Sequence, residues 1–313
     1  MRLAKNWHRR AAVKRGEPDL DEPFDLERPD YPVGILPFGN HDAWLSAPDE
    51  ARSRVLSWAW IAFNRRTITG EQQLANPAFE LILENAYPGV GDRATHRAVG
   101  QAMVDEQYHM LMHRQASDVT RSRRRLALPD ALLPETRTNI AHRRMRAASS
   151  DRREQDLITL AFATVSEVSI NAYLGLLAHD QDIQPMNTAT VRTHLRDEYC
   201  HSEICREVAK TVYGSLGMAG RRFFLAALTA ALDAFVSTDF TTWEKIFAVE
   251  NFPGRGEIIG DIRQGGSTRR LLRDYSGIYS LVTEIDALDL VDFDWGKSEV
   301  SPQEMIVADA SNL

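Results

Sequence analysis

Cysteine is almost missing from this chain: two occur among 313 residues, Cys200 and Cys205. Five residues apart on one helix they face different directions, so no intramolecular disulfide is expected. A reducing, cytoplasmic setting fits such a chain. There is no cysteine set for an iron–sulfur cluster and no Gly-rich flavin or nicotinamide fingerprint. Any electrons the protein uses must come from elsewhere. No run of 18 apolar residues occurs, so no membrane span is expected. Positive charge is in deficit, with 37 Lys and Arg against 44 Asp and Glu and a net charge of -7. That balance excludes a general attraction to nucleic acid or anionic lipid. Period-2 alternation is scarce, which argues against a sheet.

What basic character exists lies in two places. The N-terminal run MRLAKNWHRRAAVKRG lacks the apolar core of a secretion signal and reads as a solvated tail. The run from Arg121 to Arg125 has no interleaved aromatics and reads as a solvated loop.

The remainder reads as helix. Residues 1–45, with Pro18, Pro23, Pro29, Pro32 and Pro37, form an extended arm on the surface. Residues 46–290 form one all-α domain, and 291–313 an acidic tail. Helices are predicted over 46–76, 92–117, 151–179, 187–215, 223–236 and 267–287. The first opens on the Ser46 hydroxyl, Pro48 and Asp49. Pro77 and Pro88-Gly89 bracket a short connecting helix, and a long crossover runs through Pro134.

Four acids interrupt the apolar stripes of these helices: Glu71, Glu106, Glu167 and Glu198. Burying a carboxylate is costly unless its charge is compensated. Two of the four open the chain's only Glu-x-x-His motifs, ending at His109 and His201. At i, i+3 both side chains of a pair face one way. Each motif follows a lone Glu by about one helix and a turn, 35 residues in one case and 31 in the other. His194 adds a third imidazole at i−4 from Glu198. This is the pattern of a ferritin-like bundle with a carboxylate-bridged dinuclear metal site, here with extra C-terminal helices. Four carboxylates balance two divalent ions, and oxygen-rich ligation with imidazoles suits iron or manganese.

With these seven positions in line, the chain resembles the p-aminobenzoate N-oxygenase family over roughly residues 50–290. The distinguishing mark of that family is an extra His four residues before the last Glu, where His194 stands. The resemblance implies two iron ions held by Glu71, Glu106, His109, Glu167, His194, Glu198 and His201. It implies use of O2 to oxidise the nitrogen of a small-molecule amine to hydroxylamine, nitroso or nitro, as in antibiotic biosynthesis. Relatives oxidise hydrazines to azoxy products, an alternative on the same site. A separate reductase as electron donor is implied, and long exposed helices of this kind suit a homodimer. Among the family's substrate contacts, Asn171 matches an Asn one turn after the third-helix Glu. Phe63 falls near a position that is Tyr in the aminobenzoate enzyme, a departure that bears on whether the substrate carries a carboxylate. A late Arg falls on Arg270 or Arg273. Outside this class, the same ligand core could serve ferritin-type iron storage or a radical-carrying subunit. Tyr108 and Tyr199 point away from the ligands; Tyr173 is less easily set aside as a radical site.

Overall fold

The most apolar long stretch of the chain becomes the central helix of the computed structural model, which describes residues 3–15, 24–126, 132–237, 239–264 and 275–295. That helix, α7, joins α1 (Trp7–Arg10), α2 (Asp42–Leu45), α3 (Asp49–Gly70), α4 (Asn76–Leu83), α5 (Arg93–Arg124) and α6 (Arg137–Ala148). α7 itself is Arg152–Ala178, followed by α8 (Pro185–Ser215), α9 (Met218–Val236), α10 (Phe240–Val249), α11 (Arg255–Gln264) and α12 (Ser276–Glu284). Among the described residues there is no strand, so the expected all-α, ferritin-like architecture holds.

The bundle proper is α3, α5, α7 and α8. α3 packs on α5, α5 on α8 and α8 along α7, and the turn after α3 closes the ring against α7. α9 covers the other side of α7, where Phe162, Leu174 and Leu177 are fully buried. By length and composition α7, and the stretch 218–249, are apolar enough to cross a membrane. In α7, however, 83% of that window is buried inside the protein, which is the behaviour of a core helix surrounded by its own neighbours.

The helix ends follow from the sequence. The Asp92 carboxylate accepts from the backbone N–H groups of Ala94 and Thr95, and that of Asp151 from Arg153. Each satisfies donors that an N-terminus leaves open. α3 starts at Asp49 after Pro48, with Asp49 and Glu50 in its first turn, so the expected Ser46 cap is not used.

Four further expectations need correction. The first helix does not stop near Asn76. It passes through a π-turn, Glu71–Ala75, and continues as α4. Pro77 has no N–H and its ring crowds the carbonyl four residues back; widening the preceding turn relieves both. Second, Arg121, Arg123 and Arg124 are no loop but the last turn of α5. Arg124 is paired with buried Asp30 at 2.9 Å, and Arg121 lies over the Trp58 ring. The helix ends at Arg125, in the left-handed region at φ 54°. Third, α6, α10 and α11 add to the predicted helices, and α12 begins at Ser276. Fourth, the N-terminal segments are not a solvated tail and a surface arm. Tyr31, Leu36, Phe38 and Trp44 belong to the core, Phe38 packing edge-on against Trp243 of α10, and residues 3–15 dock on α5 and α8. The expected tail beyond Trp295 lies outside the described residues.

Candidate metal centre

Each half of the bundle delivers the same pair of elements. α3 ends where the π-turn begins at Glu71, and α5 carries Glu106 and His109. α7 carries Glu167, and α8 carries His194, Glu198 and His201. All seven side chains are buried, none more than 1% exposed.

The atoms converge. His201 Nδ1 lies 2.7 Å from Glu106 Oε1 and 3.0 Å from Glu198 Oε1. His109 Nδ1 lies 3.3 Å from Glu198 Oε1 and 3.7 Å from Glu106 Oε2. His194 Nε2 lies 2.9 Å from Glu198 Oε1 and 3.3 Å from Glu71 Oε1. Two overlapping donor sets result: Glu106, His109, Glu198 and His201 in one, Glu71, His109 and His194 in the other. Glu167 belongs to neither set by distance, but its carboxyl feels the charges of Glu106, Glu198 and Glu71 from the α7 side.

Only part of this proximity is hydrogen bonding, with His194 Nε2 and His201 Nδ1 both against Glu198 Oε1. Both carboxylate oxygens of Glu71 and Glu106, Oε2 of Glu167 and Glu198, and Nδ1 of His109 are buried with no hydrogen-bond partner. Leaving one such group unsatisfied costs about 1–3 kcal/mol, more when charged. Such orphaned atoms, buried on residues of the two donor sets and on Glu167 beside them, fit a pair of cations. The chemistry of the donors agrees, with four carboxylates to balance two divalent ions and imidazole nitrogen for the remaining positions.

The protonation pattern describes the same demand. Burial, then the neighbouring Glu106, pushes the Glu71 carboxyl well above the usual range. Burial, Glu106 and Glu198 do the same to Glu167. For Glu198 burial acts upward but is outweighed by His201, His109 and His194, and the carboxyl ends well below its ordinary value. Glu106 is lowered for similar reasons. Burial disfavours charge on His109 and His201, yet hydrogen bonds and charges from Asp197, Asp105, Glu106 and Glu198 raise both well above an ordinary imidazole. These opposed shifts are those of acids and imidazoles packed together away from water, each group set by the charge of its neighbours.

A surrounding layer went unrecognised in the sequence. His109 Nε2 faces Asp197 Oδ2 at 3.4 Å, and His201 Nε2 faces Asp105 Oδ2 at 3.3 Å. Carboxylates in this place orient a ligating ring and raise its basicity. They cross over, since each Asp serves the His of the other half. The N-terminal segment then holds the carboxylates. Trp7 Nε1 donates to both Asp105 oxygens at 2.9 Å, Arg10 to Asp197 at 2.8 Å, and the Ala12 N–H to Asp197 at 2.9 Å. The signal for the aspartates was legible: each Glu-x-x-His is preceded directly by Asp, at Asp105 and Asp197.

Residues 1–286 match the family described as p-aminobenzoate N-oxygenase AurF. The chain belongs to that family. It is 38% identical over 299 residues to the 4-aminobenzoate N-oxygenase of Streptomyces thioluteus, a match covering 94% of this chain and 88% of that protein. Membership makes the chain an oxygenase that acts on nitrogen, and the buried carboxylate–imidazole cluster is its candidate metal site.

Of the anticipated substrate contacts, the structure places two near this family centre. The Asn171 amide donates to Ser202 Oγ at 2.7 Å, and that hydroxyl donates to the Glu167 carbonyl at 2.6 Å. Phe63 is stacked between Trp60 and Tyr173, at 5.6 and 4.5 Å between ring centroids. Arg270 and Arg273 lie outside the described residues. Cys205 is buried, and burial pushes its thiol well above the usual range. It stays a neutral packing group.

Proposed function

We propose that this chain is a di-iron N-oxygenase that uses O2 and an external reductant to oxidise an aromatic amine. The observation that carries the reading is the buried seven-residue cluster, with His194 drawn against Glu71 and Glu198, in a chain of this family. The iron pair would supply the reductive activation of O2 and the transfer of oxygen to nitrogen. Glu71, Glu106, Glu167 and Glu198 would balance its charge, while His109, His194 and His201 complete the two coordination spheres.

The chain's own contribution is positioning and exclusion of water. None of the seven side chains has meaningful contact with solvent, so charges in the cluster interact in a low-dielectric interior. Asp105 and Asp197 hold the outward N–H groups of two imidazoles, leaving Nδ1 of each directed inward. Phe63 brings no hydroxyl to the position where the resemblance implies a Tyr, so the preferred amine is expected to lack a carboxylate at that end. Tyr199 is 61% exposed, which removes it as a buried radical carrier. We place a separate reductase among the partners, together with self-association as a dimer, in the cytoplasm.

The test is an assay of iron-loaded, reduced protein with O2 against anilines, aminobenzoates, aliphatic amines and hydrazines, read by mass for added oxygen. Oxygen incorporation into an aniline nitrogen is the expected result. Many irons per chain with no oxygenated product would instead mean storage.

A further inference from the structure

Two of the three imidazoles in the cluster share one arrangement, with Nδ1 inward and Nε2 outward on an aspartate. His194 is reversed. Its Nε2 points inward to Glu198 and Glu71, and its Nδ1 points outward. The outward partner is not a carboxylate but a fourth imidazole, His113, whose Nε2 lies 2.8 Å away. His113 Nδ1 lies 2.6 Å from Asn64 Oδ1, and Asn64 Nδ2 donates to Ser117 Oγ at 3.0 Å. His113 and Asn64 are fully buried, and Trp60 and Phe63 pack beside the His113 ring. This chain of groups has no role in the ligand set.

We propose that His113, anchored by Asn64, is the positioning residue that keeps the proton of His194 on Nδ1 and leaves Nε2 bare as the donor atom toward the metal pair. The polarity follows from the contacts. The Asn64 amide N–H is directed to Ser117, which turns its carbonyl oxygen to His113. An amide oxygen only accepts, so the His113 proton sits on Nδ1. In a neutral imidazole the other nitrogen is then an acceptor. His113 Nε2 accordingly accepts from His194 Nδ1, and His194 Nε2 carries no proton. Charge gives a reason for a neutral partner here. Four carboxylates already balance two divalent ions, and a third aspartate beyond the cluster would add a negative charge that no Arg10 or Trp7 is placed to offset.

This inference rests on His194 being a ligand, so the test separates the two claims. With zinc(II) as a diamagnetic probe, two-bond proton–nitrogen spectra of histidine-labelled protein report the proton-bearing nitrogen of each ring. The expected result is His194 with zinc on Nε2 and a proton on Nδ1, and His113 with its proton on Nδ1. His194 bound through Nε2 while His113 carries its proton on Nε2 would overturn the relay and leave the ligand set standing. A His194 ring free of zinc would overturn both. In parallel, His113→Leu should weaken one of the two zinc affinities about 10- to 100-fold, and His113→Gln, which restores an acceptor, should recover part of the loss. Wild-type affinity for both ions in a folded His113→Leu protein contradicts the proposal. If that variant does not fold, the spectra of the unaltered protein decide alone.

Discussion

At the scale of single residues, the centre is a competition between protons and cations for the same atoms. Glu71 and Glu167 are held above the ordinary carboxyl range, by burial and then by neighbouring acids, and His109 and His201 above the ordinary imidazole range. Raised groups keep their protons to higher pH, and a cation must displace them. Metal affinity therefore rises with pH through the range in which these groups titrate, and falls on acidification. Loading two divalent ions is expected to release protons from these groups. Titration in buffers of different ionisation enthalpy measures the number; release of none would mean that the ligands are already deprotonated. His194→Ala is expected to preserve the fold and abolish amine turnover, since it removes one nitrogen and leaves the carboxylates in place. Circular dichroism and a mass-resolved product assay check the two halves of that statement. The seven candidate residues were legible because a buried acid on an apolar stripe violates the rule for helix faces, and the three histidines stand at helical spacing from two of those acids. His113 was not, because a lone His on such a stripe resembles an ordinary core residue until Asn64, 49 residues away, is brought to it.

At the scale of elements, two features tie packing to the centre. The first is the N-terminal segment. Trp7 and Arg10 reach Asp105 and Asp197 across 98 and 187 residues of sequence. No local pattern could reveal that, and a basic run with one Trp reads as a solvated tail. Removing residues 1–15 should leave a folded bundle but lower metal affinity about 10- to 100-fold, because the aspartates that orient His109 and His201 lose their donors. Calorimetric titration tests this; unchanged affinity would show the segment to be mere cover. The second is the contact of α12 with α7. A Cβ on Gly277 would come within 2.6 Å of Val168 Cγ1, one residue after Glu167. Gly277→Ala is thus expected to cost about 1–3 kcal/mol of overpacking, read from the denaturant midpoint. α6 shows where periodicity failed: its buried positions are Thr138, Asn139 and His142, and its only apolar contacts with the core are the partly buried Ala141 and Met145, too short a stripe to find. The π-turn was missed for a different reason. Pro77 announces a break, and only the surrounding bundle turns that break into a widened turn that sets Glu71 on α7.

At the scale of the whole molecule, the fold holds four carboxylates in one interior, and that is unfavourable unless positive charge accompanies them. Ion loading should therefore stabilise the protein, by about 2.7 kcal/mol per independent site at a free concentration 100 times the dissociation constant. Differential scanning calorimetry should show the melting temperature rising with added divalent metal and falling back with a chelator. The overall architecture was accessible from sequence because long apolar helical stripes dominate α7 and α8. The way residues 24–45 complete the core was not, since its proline-rich composition resembles a loop, and its Tyr31, Phe38 and Trp44 find partners only in three dimensions.

The central claim is that side chains from separate helices share one pair of iron ions. Crystals grown with ferrous salt and measured at the iron absorption edge test it directly. The account predicts two anomalous peaks per chain enclosed by Glu71, Glu106, His109, Glu167, His194, Glu198 and His201. A single peak, or peaks that leave His194 and Glu167 without an ion, would contradict it.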